Sequence, residues 1–213
     1  MGRFLALVFL VVLTGCSAPK NLTEQIILYF DPVSADTSVR PPAKGYPFRV
    51  QVKEFELDPL YDNANVVIRN TDWSVQFSKR GAWAVRPNAT ATDLLGAVLK
   101  GSLPFRALKK RFPESSPDYI ISGTLNAVEE DRRNNKLSAR LALTLNIVRY
   151  ADTKTIFERT YRRSEAVTDT GYVGIARALS NGLKTACSEF AVDAIRVFNR
   201  ELEAADAQDS GKN

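Results

Sequence analysis

The chain has 213 residues, with 29 Lys and Arg against 24 Asp and Glu, two cysteines and no histidine. This length and apolar content suit one compact domain with a buried core, which excludes wholesale disorder. The absence of histidine excludes Ser-His-Asp and Cys-His catalysis and all histidine-based metal sites. Two cysteines are too few for a thiolate zinc site or a disulfide framework.

The chain opens with Met1-Gly2-Arg3, an apolar run from Phe4 to Leu13, and then Thr14-Gly15-Cys16. One positive charge, a short apolar run and small residues before a cleavage point read as a secretory signal. The run is too short to span a bilayer, which takes about 20 residues. The segment Leu13-Thr14-Gly15-Cys16 resembles the bacterial lipobox. That resemblance implies cleavage between Gly15 and Cys16, with a diacylglycerol and an N-acyl lipid carried covalently on Cys16. Two or more acyl chains anchor stably where one holds only marginally. A plain secretory peptide is the alternative; the spacing, the missing A-x-A site and the polar tether after Cys16 favour the lipobox. Ser17 directly after the cysteine fits sorting to the outer membrane of a Gram-negative host. The organisation expected is a signal peptide over 1–15, a lipidated tether over 16–25, one domain over 26–205 and a polar tail over 206–213.

Within that domain, Ile26 to Phe30 reads as a first strand, broken by Asp31-Pro32. Residues 34–47 are a loop by their Pro, Gly and Ser content. Phe48 to Lys53 alternates strictly and reads as a half-buried strand. Asn65 to Arg69 and Ser74 to Phe77 are shorter strand candidates. Thr90 and Asp93 resemble a capping box ahead of a helix carrying Leu94, Leu95, Val98 and Leu99, ending near Gly101 to Pro104. A basic cluster follows at Arg106, Lys109, Lys110 and Arg111.

The clearest strand pattern runs from Leu137 to Ile147, preceded by a less regular one from Tyr119 to Ala127. Between them, Glu129 to Asn135 reads as an exposed charged hairpin loop. Thr155 to Val167 supplies a third long strand, giving an antiparallel meander with one face packed. Thr168-Asp169-Thr170 reads as the cap of a long helix from Gly171 to Ala205, whose apolar stripe runs from Tyr172 to Phe198. The fold class expected is therefore α+β: a mainly antiparallel sheet with a C-terminal three-strand meander and two principal helices packed on it.

In this order the elements resemble the ABC-type transport auxiliary lipoprotein components, the group that includes the lipoprotein of the paraquat-inducible envelope system. The features that carry the resemblance are the lipobox, an early strand containing Tyr29, and the strand Phe48 to Leu57. They continue with Leu60-Tyr61-Asp62-Asn63, Val66-Val67-Ile68-Arg69, the Trp83-Ala84 pair before a helix, and the meander and long helix from Tyr119 to Phe198. The resemblance implies a non-catalytic lipoprotein of the outer membrane, facing the periplasm. It implies auxiliary work in moving lipids or other hydrophobic cargo, with a mammalian-cell-entry (MCE) domain protein, a permease and an ATPase as partners. No cofactor is expected beyond the lipids on Cys16, and a homo-oligomer is the expected assembly. The chain has no G-x-x-x-x-G-K-[ST] phosphate loop, so it is not itself the ATPase. A structural or assembly lipoprotein of the cell envelope is the competing reading, and gene neighbourhood separates the two.

Few other residues suggest chemistry. Cys187, beside the apolar stripe of the last helix, reads as a small buried hydrophobe rather than a reactive thiol. Glu129, Glu130 and Asp131 stand next to Arg132 and Arg133 and read as a solvated turn. Nucleic acid is not an expected partner, since no stacking-aromatic motif accompanies the basic residues. The candidate contacts for a partner or for anionic head groups are Arg106, Lys109, Lys110, Arg111, Trp73 and Trp83. Core packing competes for the aromatics and solvent for the cations.

Overall fold

A computed structural model describes residues 23–29, 39–133, 136–169 and 171–210. In chain order the elements are β1 (Glu24–Ile26), β2 (Tyr46–Val52), β3 (Glu56–Leu57), a 3-10 turn (Pro59–Tyr61), β4 (Asn65–Thr71) and β5 (Ser74–Trp83). They continue with α1 (Pro87–Ser102), β6 (Phe105–Lys109), β7 (Tyr119–Asp131), β8 (Ser138–Arg149), β9 (Thr155–Ala166) and α2 (Gly171–Ser210).

The nine strands form one mixed sheet organised around β7. On one side β7 pairs antiparallel with β8 along its whole length, and β8 pairs antiparallel with β9. The other side of β7 is shared by three short parallel strands laid end to end. Val50 lies opposite Tyr119 in β2, Glu56 opposite Thr124 in β3, and Val67 opposite Glu129 in β4. Outside them, β6 runs parallel to β2, β5 antiparallel to β4, and β1 parallel to β5.

The C-terminal meander is present, but the expectation of a mainly antiparallel sheet is corrected: five of the eight strand pairings are parallel. The physical reason is that alternation reports which side chains are buried, not the direction of the neighbouring strand. β2, β3 and β4 are one pass of the chain along the edge of β7, interrupted by the 3-10 turn.

Leu141, Leu143, Leu145 and Ile147 of β8 are all buried and belong to the same core as Leu179, Leu183, Phe190 and Phe198 of α2. Period-2 alternation sends Arg140, Thr144 and Asn146 to the opposite face, where Thr144 bonds Asn126 and Asn146 bonds Ser122. The sheet is thus helix-covered on one face and largely polar on the other.

α1 begins earlier than the Thr90-Asp93 pattern suggests. Pro87 occupies the first turn after Arg86, which makes no side-chain cap, and Pro suits that position because its missing N–H costs nothing there. Two polar residues of α1 grip the backbone between β2 and β3. Asn88 Nδ2 donates to the Phe55 carbonyl at 2.9 Å, and the Phe55 N–H donates to Thr92 Oγ1 at 2.9 Å.

α2 spans 40 residues, about 60 Å at 1.5 Å per residue. Three tyrosines of the sheet hold it through hydrogen bonds. Tyr161 donates to Asp193 at 2.7 Å, Tyr46 to Asn199 at 2.6 Å, and Tyr119 to Glu201 at 2.8 Å. Near its C-terminal half, Phe198 sits among the rings of Tyr46, Phe48, Phe105 and Tyr119, with centroids 4.9–6.0 Å away. Thr170 of the expected cap lies outside the described residues, and Asp169 is engaged by Arg177.

At the start of β2, Gly45 has φ +73°, and a Cβ there would sit 2.5 Å from the Pro104 carbonyl oxygen. That close approach and backbone conformation require glycine.

Candidate functional site

The two ends of the sheet differ in chemistry. At the end where β7 finishes, Glu129, Glu130 and Asp131 are the last residues of the strand and are 0%, 3% and 6% exposed. The solvated turn expected for these carboxylates is corrected. β7 continues to Asp131 because β4 pairs with it there, and burial follows from having a strand on each side. The less regular alternation has the same origin, together with a register shift between Leu125 and Ala127.

Glu129 is satisfied by three donors. Arg69 Nε reaches it at 2.7 Å, Arg140 Nη1 at 2.8 Å and the Tyr61 hydroxyl at 2.7 Å. The 3-10 turn brings Tyr61 over this position, and the registers of β4 and β8 supply the two arginines. Burial, with the bond to Glu129 second, pushes the Tyr61 phenol up to about 12. The bond to Glu129 raises the Arg69 guanidinium further above its ordinary value. Beside this cluster Arg133 pairs with Asp131 at 2.6 Å and also binds Asp72, while Arg132 binds Glu130. Hydrogen bonds from Arg133 hold Asp131 below the usual carboxylate range. These paired charges fix the geometry of this end of β7.

The opposite end, where β7 begins, carries a cleft of 590 Å³ lined by Phe48, Arg49, Arg106, Asp118, Arg149 and Tyr150 among others. Arg49 Nη2 lies 3.0 Å from Asp118 Oδ1, and the Arg49 backbone N–H donates to Asp118 Oδ2 at 2.7 Å. Arg149 reaches both carboxylate oxygens of Glu201 at 2.8 Å, anchoring α2 to the rim. Arg106 remains exposed, and Tyr150 is 46% exposed.

The structure divides the basic cluster read from the sequence. β6 was not anticipated in that segment, and it carries the cations to two places. Arg106 lines the cleft just described. Lys109 and Lys110 instead border a smaller groove of 210 Å³ with Lys100, Asp93 and Leu108. Lys110 pairs with Asp93, and the Lys109 ammonium lies 5.7 Å from the Phe112 ring centre. Arg111 is exposed beyond the end of β6.

The two tryptophans part company as well. Trp73 is 97% exposed at the turn between β4 and β5, whereas Trp83 is 8% exposed and packs in the core. The surface contact expected of Trp83 is therefore withdrawn, since its ring is covered. Cys187 is fully buried, and burial pushes its thiol far above the ordinary range. The lipobox residues Leu13, Thr14, Gly15 and Cys16 lie outside the described residues.

Among the described residues, no three His, Cys, Asp or Glu side chains converge as a metal site would require. No helix among them is long and apolar enough to cross a membrane. The sequence missed the Glu129 cluster because its members, from Tyr61 to Arg140, lie up to 79 residues apart; the signal available was that Tyr61 and Arg69 belong to the two short motifs quoted above.

A family model described as ABC-type transport auxiliary lipoprotein component matches residues 32–191. Among solved structures, a Xanthomonas campestris protein assigned to the DUF330 family is similar with a TM-score of 0.68 at 14% identity. The match covers 84% of this chain and 99% of that one. A second, described as an uncharacterized protein, has a TM-score of 0.63 at 13% identity, covering 81% and 99%. A hypothetical protein from Chlamydia trachomatis reaches 0.50 at 6% identity, covering 71% and 98%. At such identities the likeness is one of fold. No curated protein matches the chain.

Proposed function

Because the chain belongs to the ABC-type transport auxiliary lipoprotein component family, and is thereby an auxiliary component of ABC-type transport, we propose that it serves an MCE-type system that moves lipid or other hydrophobic cargo. It would do so as a docking domain over residues 26–205, tethered through residues 16–25 to the outer membrane by acylated Cys16. The family's auxiliary role implies a non-catalytic part. The observation that carries the reading is the family match across 32–191.

The geometry supports docking in a specific sense. The cleft with Arg49, Arg106 and Arg149 lies at the β7-start end of the sheet. β1 runs parallel to β5 from Gly81 to Trp83, so its N-terminal residue Glu24 lies on the side toward the other end. A protein held at one end and presenting an arginine-rimmed cleft at the other is arranged to receive a partner reaching from the opposite membrane. Arginine and tyrosine are favoured anchors of protein interfaces.

The test is in-cell crosslinking from Arg106 and Tyr150 replaced by a photoreactive residue, followed by affinity capture. Recovery of an MCE-domain protein is the expected outcome. Recovery of cell-wall synthases or outer-membrane assembly factors instead would overturn the transport reading in favour of the structural one.

A further inference from the structure

Trp73 is 97% exposed at the tip of the β4–β5 hairpin, where Thr71 pairs with Ser74. Its backbone is held in place, the N–H donating to Thr71 Oγ1 at 3.2 Å. Arg133 links the tip to the end of β7 through Asp72, and Leu137, 42% exposed, stands just before β8 on the same end of the sheet. The two hairpin ends are therefore one surface.

That surface is close to electrically neutral in its fixed pairs. Asp72 and Asp131 are held by Arg133, Glu130 by Arg132, and Glu129 by Arg69 and Arg140. Lys136 is exposed beside them. Each of the four carboxylates in the two hairpin ends is paired with an arginine, so the approach of these ends to anionic head groups meets little repulsion. A large indole body with one polar N–H is the side chain best suited to the boundary between acyl chains and water.

The tether supplies the independent argument. β1 runs parallel to β5 with Glu24 opposite Gly81, so the N-terminal end of β1 is the end that faces the Trp73 side of the sheet. Gly81 adjoins Ala82, which faces Asn65, and from Asn65 to Thr71 is six residues of β4, about 20 Å at ~3.3 Å each. From Cys16 to Glu24 is eight residues, at most about 28 Å when extended. Eight extended residues are thus just long enough to cover that distance.

We infer that the hairpin tip at Trp73, flanked by Arg133 and Leu137, contacts the interfacial layer of the bilayer that holds the anchor, and fixes the orientation of the domain on it. The inference rests on the reading of Cys16 as the acylated residue.

The experiment compares the full lipidated chain with its Trp73→Ala variant in phosphatidylethanolamine–phosphatidylglycerol vesicles carrying lipids brominated near the head group. The exposed tip tolerates this substitution without disturbing the core, and Trp83 serves as an internal, covered reference. The expected result is a blue-shifted emission component that bromine quenches in the wild type and that is missing from the variant. Equal quenching of both proteins while both stay vesicle-bound overturns the contact and leaves the anchor intact. A blue shift without bromine quenching also overturns it, and points to a second copy or another protein as the occupant. Mass spectrometry of the N-terminal peptide separates these from the remaining case: no acyl chains and no vesicle binding overturns the anchor and the contact together.

Discussion

The Tyr61 hydroxyl donates to Glu129 at 2.7 Å, joining a 3-10 turn to the end of β7 across 68 residues of chain. Arg69 and Arg140 complete the coordination of the same carboxylate. Removing Glu129 leaves Arg69, and the more exposed Arg140, without their buried carboxylate. Glu129→Ala is expected to destabilise by about 3–5 kcal/mol, as for breaking other buried pairs. Tyr61→Phe loses one bond to a charged group and is expected to cost about 1.5–3 kcal/mol. Urea unfolding midpoints measure both; a Tyr61→Phe loss equal to that of Glu129→Ala would contradict the cluster as described.

Phe198 is fully buried and touches four other rings. Truncating such a ring removes its burial and leaves a cavity. Phe198→Ala is expected to cost about 3–5 kcal/mol, with Phe198→Leu clearly milder. A calorimetric melting series checks the ranking, and near-equal losses would show that the ring cluster contributes little beyond volume.

Alkaline pH should loosen α2. Burial pushes the phenol of Tyr46 up to about 12, and Tyr119 and Tyr161 lie higher still, burial being the largest cause in each. The folded state keeps these protons after the unfolded chain has begun losing them near 10.0, so stability falls with rising pH from that point. All three tyrosines bond α2, two of them through carboxylates, so ionisation sets like charges against each other. The expected outcome is a tyrosinate absorbance titration with an early phase from exposed phenols and a late cooperative phase coincident with helix loss by circular dichroism. A single early phase with full helicity would refute this coupling.

Replacing Cys16 with Ser should release the chain from membranes, because the anchor is lost while the described domain is untouched. Fractionation measures it directly. Unchanged membrane association in that variant would remove the lipid from the account.

Much of this fold is legible along the chain, for reasons visible in particular residues. The stripe of α2 from Tyr172 to Phe198 repeats at helical spacing because one face of α2 lies on the sheet for most of its length. β8 alternates cleanly because one of its faces is polar and one meets the helices. By contrast β7 hides its last residues, since the side chains that neutralise Glu129 come from β4, β8 and the 3-10 turn and leave no local pattern. β6 does not show in the sequence, because a five-residue strand with a half-exposed pattern offers little periodicity. Parallel pairing was unreadable for the same kind of reason, as hydrophobic alternation carries no direction.

The position of β7 has a consequence in time as well as space. β6 can meet β2, and β5 can meet β4 and β1, but among the described strands it is β7 that joins those two pieces to each other and to β8 and β9. Arg49 and Asp118, at the first of these junctions, are separated by 69 residues, and closing so long a loop is slow compared with forming a hairpin. During synthesis or export from the N-terminus, the early strands are thus complete before their common neighbour exists. The N-terminal half of the chain has to wait, with its edges unpaired, for the strand that splices it to the rest.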